Sequence, residues 1–100
     1  MRKLKLEVPT SFQLGGHTIK VEIVPGTEHE KAGVWLVEES KIRLFPKGRT
    51  YDFMMQTFCH ELGHAICDVW CLTSLNDNED SIDALGQGFF QFMKTAKYNG

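Results

Sequence analysis

The period of the apolar residues changes once along this chain, near Pro46 and Gly48, and that change constrains the fold more than any other feature. Before it, "KLKLEV" puts Leu4, Leu6 and Val8 on one face. "HTIKVEIV" puts Ile19, Val21 and Ile23 on one face, with Lys20 and Glu22 on the other. Alternation with period two is the pattern of a half-buried strand. Gly15-Gly16 lies between apolar runs and predicts a hairpin turn. "GVWLVEESKIRLF" reads as two more short strands meeting around residues 38–41. After the change, Met54, Phe58, Leu62, Ala65, Ile66 and Val69 recur at three and four residues. That stripe predicts a helix over roughly 51 to 70, with Thr50 or Asp52 as its cap. Asn76, Asp77 and Asn78 interrupt the pattern and cap the next segment. Ile82, Leu85, Phe89, Phe92, Met93 and Ala96 then form a second stripe, predicting a helix from about 78 to 97. Strands followed by helices give an α+β fold: a small antiparallel or mixed sheet, then two helices.

One hundred residues suffice for one small domain, so residues 1–100 are expected to form a single unit. With 42% hydrophobic and 24% charged residues the chain has the composition of an ordinary globular protein. Its formal net charge of −2 supplies no basic field for nucleic acid. No apolar run approaches the ~20 residues that span a bilayer. The opening "MRKLKLEV" has positive charge but no apolar core of a secretory signal. Cys59, Cys67 and Cys71 are odd in number and helically spaced, which fits reduced thiols better than a disulfide framework. A cytoplasmic protein without a nucleic-acid or membrane partner is the expectation.

The chemistry is concentrated in "TFCHELGHAICD", residues 57–68. His60 and His64 are one helical turn apart and ~40° apart in azimuth, so both imidazoles can converge on one metal ion. Glu61 is rotated by ~100° from His60, beside such an ion, where it can take a proton from a bound water. A catalytic zinc normally takes three protein ligands. Cys67 and Cys71 share the histidine face, but four positions over eleven residues span ~16 Å of axis, against zinc–sulfur bonds of ~2.3 Å. Both are therefore read as small buried apolar residues. Cys59 points away from the pair and is read the same way. The third ligand is better sought in "NEDSID", residues 78–83. Glu79 and Asp83 lie on one edge of the second helix, and Gly86 continues that edge. With Gly63 between the histidines, the two glycines would let the helices approach closely. Glu79 is then the candidate ligand, and Asp83 the candidate acceptor for a histidine ring N–H. The plainer alternative is that Glu79 and Asp80 only complement the helix N-terminus, and Asp80, off the shared edge, is assigned that role.

"HELGH" followed by "NEDSID" resembles the gluzincin metallopeptidases, which bear H-E-x-x-H on one helix and N-E-x-x-x-D on a second. The length and element order look most like minigluzincins and the small metallopeptidase-like proteins of phages and the ImmA/IrrE group. The resemblance rests on residues 57–83. It implies one zinc ion per chain held by His60, His64 and Glu79, with Glu61 as general base and Asp83 supporting a zinc-binding histidine. It implies a peptide or protein substrate and hydrolysis of its peptide bond. In metallopeptidases a strand beside the cleft pairs with substrate, and "KIRLF" is the candidate in this chain. Larger gluzincins add a domain with a histidine or tyrosine that stabilises the oxyanion. The comparable side chains in this sequence are Tyr51, Tyr98, His17 and His29, and no motif marks any of them. The competing expectation is a non-catalytic protein in which zinc serves folding, or a latent peptidase whose tail, "KTAKYNG", covers the cleft.

Overall fold

The computed structural model describes residues 5–99. Strands β1 (Ser11–Leu14) and β2 (His17–Ile23) form the expected antiparallel hairpin around Gly15-Gly16, with Leu14 opposite His17. β3 (Gly33–Leu36) and β4 (Lys41–Leu44) pair antiparallel across a 3₁₀ turn at Val37–Glu39, closed by Ser40 in the left-handed region. The strand order is β1-β2-β4-β3, and β2 runs parallel to β4. The sheet is therefore mixed, and the fold is α+β as the periodicity predicts. Its order depends on the segment 24–32, which crosses from β2 to the far edge before β3 begins. Arg49 fastens that crossing by donating to the carbonyl oxygens of His29 and Phe45, and His29 stacks on Phe45.

Helix α1 (Tyr51–Val69) opens with the Thr50 hydroxyl accepting the Phe53 N–H. It lies on the sheet face made by Ile19, Ile42 and Leu44, and buries Met54, Met55, Phe58 and Cys59 there. Phe12 and Phe58 meet edge-on, with ring centroids 6.3 Å apart. The opposite sheet face is polar and carries the Arg43–Glu22 pair across β4 and β2. A four-residue helix, α2 (Thr73–Asn76), leads to α3 (Glu79–Thr95), which the Asn78 side chain caps by accepting the Ser81 N–H. α3 packs on α1. Because α1 lies between the sheet and α3, its buried set is wider than one stripe and includes Gly63, Ala65 and Cys67. Among the described residues, no helix is long and apolar enough to cross a membrane.

Four expectations need correction. The described part of "KLKLEV" forms no strand, and Leu4 lies outside the described residues. Pairing starts only at Ser11, beyond Pro9, which has no N–H to give a ladder; Leu6 is buried all the same. The second stripe holds at Ile82 but fails at Leu85, Phe92 and Met93, which are 39%, 61% and 46% exposed. Cys71 is exposed, because α1 ends at Val69 and the chain turns there with Cys71 at φ 57°. α2 falls where the pattern predicts only an interruption, because a single turn is too short to show a period.

Candidate metal centre

The site is built where α3 starts against the middle of α1. At Gly86 an added Cβ would come 2.9 Å from the backbone N of His60 and 3.0 Å from its Cα. Only a residue without a side chain lets the two backbones touch in this way. Gly63 faces Ile82 with more room, 3.5 Å to Cγ2. The close approach at Gly86 carries the first turn of α3 over the histidines. Glu79 then places Oε2 3.2 Å from His60 Nε2 and Oε1 3.0 Å from His64 Nε2. The histidine rings are 5.0 Å apart between centroids.

His60, His64 and Glu79 each offer a ligand atom, all within 4.8 Å of one another. Two ligands at ~2.0–2.1 Å from a tetrahedral ion lie ~3.3 Å apart, close to the nitrogen–oxygen separations of this group. The other ring nitrogens face away from this point. His64 Nδ1 lies 2.6 Å from Asn76 Oδ1, and His60 Nδ1 lies 3.5 Å from Asp83 Oδ1. Both Nε2 atoms thus face one carboxylate, at separations that suit either N–H···O hydrogen bonds or three ligands around one cation. The donor set of two imidazoles and one carboxylate suits a borderline transition-metal ion. The group can therefore hold a metal ion. No cysteine belongs to it. Burial pushes the Cys59 thiol up to about 11 and raises Cys67 as well, away from the thiolate a metal needs.

Glu61 lines the same cleft but is not one of the three. Burial raises its carboxyl above the usual carboxylate range. His60 and His64 oppose the rise, Glu79 adds to it, and the backbone N–H of Trp35 also opposes it by hydrogen bonding. That N–H belongs to an edge strand. Phe45 N donates to Ala32 O, and with Val34 opposite Arg43 the register makes 34 and 43 a closely bonded pair. The backbone groups of Gly33 and Trp35 therefore face the open side of β3. The cleft, about 640 Å³, runs between residues 31–35 on one side and Phe53, Gln56, Thr57, His60, Glu61 and His64 of α1 on the other, with Glu79 and Asp83 closing one end.

No family model, curated protein or solved structure matches this chain. The structure brings together all five residues that the two motifs single out: His60, Glu61, His64, Glu79 and Asp83. The strand beside the cleft is not the one expected. "KIRLF" is β4, which is paired on both sides and has no free edge; β3 has one and borders the cleft. Tyr51, Tyr98, His17 and His29 do not line the cleft, and neither do residues 94–99. Lys94 instead pairs with Asp52, at the opposite end of the helix pair. Sequence reasoning misses three residues, Asn76, Asp68 and Trp35, which join in one hydrogen-bonded chain behind His64. Asp68 is within reach of the sequence, since it follows His64 by one helical turn on the same face. Asn76 carries no such signal.

Proposed function

We propose that this protein is a zinc-dependent peptidase of gluzincin type, acting on a peptide or protein substrate. The observation that carries the reading is Glu61: a half-buried carboxylate beside a three-ligand group, not part of it, in a cleft bordered by the edge of β3. A site that served only folding would need the ligands but no such carboxylate. When bound, zinc supplies Lewis-acid chemistry, polarising a carbonyl and making a water acidic enough to ionise near neutral pH.

The chain's own residues do the rest. His60, His64 and Glu79 hold the ion. Asp83 is placed to accept the His60 Nδ1–H and steady that ring. Glu61 takes the proton from the attacking water and passes it to the leaving amine, and its raised affinity for a proton suits both roles. The outward N–H and C=O groups of Gly33, with the outward C=O of Trp35, can pair with an extended substrate laid along β3.

The competing reading, a zinc-binding protein without catalysis, draws support from the oxyanion side, where no histidine or tyrosine outside the ligand set lines the cleft. Glu61→Gln separates the two. It keeps shape and hydrogen-bonding reach but removes the base. The peptidase reading expects normal zinc content and a loss of ~100-fold or more in cleavage of a peptide library. Equal cleavage by parent and variant would end the general-base mechanism, and a parent inactive on every peptide would favour the non-catalytic reading.

A further inference from the structure

Asn76 is oriented by its neighbours. Its Nδ2 donates to Asp68 Oδ1 at 3.1 Å, and Asp68 Oδ2 accepts the indole N–H of Trp35. A carboxylate has no hydrogen to give, so the amide nitrogen, and not the oxygen, must face Asp68. The amide oxygen is then left for His64, 2.6 Å from Nδ1. An oxygen can only accept, so Nδ1 carries the hydrogen. Nε2 faces Glu79 Oε1 at 3.0 Å, a second acceptor, so a neutral ring that gives its one hydrogen to Asn76 turns its lone pair to Glu79, an arrangement that a metal ion between them relieves.

We infer that Asn76 is a positioning residue that holds His64 in the Nδ1–H tautomer with Nε2 turned to the metal, and that Asp68 and Trp35 lock the amide in that sense. The role accounts for α2. This helix buries none of its residues and has no side-chain cap; what it contributes is its last residue, Asn76. The same chain of bonds joins two parts of the cleft. Trp35 hooks β3 to α1 through its indole, one turn beyond His64, and lines the cleft together with Glu61. The cleft strand and one ligand thus share a single support.

The inference rests on the reading of His64 as a metal ligand, and the test keeps the two apart. The tautomer is read from two-bond proton–nitrogen correlations of the neutral His64 ring in a metal-free Glu79→Ala background, where no carboxylate competes for a hydrogen at Nε2; the parent and each variant carry that change for this measurement only. Zinc affinity is read separately by competition with a chromophoric chelator. In the parent, His64 is expected in the Nδ1–H form. Asn76→Leu should release it toward the Nε2–H form and weaken zinc binding ~10- to 100-fold, the usual effect of losing a partner behind a metal ligand. Asn76→Asp alone sets two carboxylates side by side and should also weaken binding. Adding Asp68→Asn exchanges the two groups and keeps every donor and acceptor. The double variant should recover the Nδ1–H tautomer and an affinity within ~3-fold of the parent or tighter, taking ~10-fold as the smallest loss. An Nε2–H tautomer in the parent, an unchanged tautomer in Asn76→Leu, or a double variant no better than Asn76→Asp would overturn the assignment. A parent whose Nδ1–H tautomer is lost in Asn76→Leu but which binds no zinc would uphold the positioning and defeat the peptidase reading.

Discussion

The two ends of the α1–α3 pair are held differently. At the site end, Gly86 brings the backbones into contact and Ile82 is fully buried beside Gly63. At the other end, Phe92 and Met93 are 61% and 46% exposed, and the helices are bridged by Lys94 and Asp52 at 2.7 Å. An exposed ion pair of that kind contributes roughly 0–1 kcal/mol. The pair is thus in backbone contact where Glu79 and Asp83 meet the histidines, and is packed at the other end through side chains such as Phe89 and Phe90. Side chains that hold a metal need their geometry fixed to ~0.5 Å, and rigid backbone contact supplies that over the site's few turns.

The contrast can be broken by substitution along one helix. Ile82→Ala removes a fully buried side chain and should cost ~2–4 kcal/mol in chemical denaturation. Phe92→Ala, though it deletes more atoms, should stay within ~0.5 kcal/mol. Equal costs would mean that the two ends are packed alike. The glycines sharpen the comparison further. Gly86→Ala forces a methyl against backbone that cannot rotate away, an overpacking cost of ~1–3 kcal/mol, partly offset by ~1 kcal/mol of helix propensity. It should lower both the melting temperature and the zinc affinity. Gly63→Ala meets only ordinary van der Waals contact, so propensity should prevail and stability rise by up to ~1 kcal/mol. If both alanines stabilise, the close approach at Gly86 is not what seats α3.

The same contrast marks how far the sequence can be read. His60, Glu61 and His64 are legible because helical azimuth is a local property, fixed by spacing alone. Glu79 and Asp83 follow because Gly63 and Gly86 signal close approach on the shared edge. Phe92 is misplaced because the close approach at Gly86 turns the Ile82–Gly86–Phe89 face of α3 to α1, and Phe92 lies ~80° off that face, a choice of azimuth that the stripe alone does not record. The cleft strand escapes the sequence for a similar reason. β3 and β4 have comparable patterns, and only the order β1-β2-β4-β3, set by a parallel pairing across 24–32, decides which has a free edge. Asn76 is hidden because its role comes from a single helical turn folded back onto α1.

The central claim is that His60, His64 and Glu79 hold one zinc ion, and the most direct test is metal content per folded chain by elemental analysis. The parent, purified from zinc-supplemented medium and freed of loose metal, should carry one zinc per chain. His64→Ala should carry almost none while keeping its circular dichroism, with a lower melting temperature because bound-state stabilisation is lost; that loss is ~2.7 kcal/mol at free zinc of 100 times the dissociation constant. One zinc per chain retained in folded His64→Ala would contradict the account, and so would a parent that takes up none.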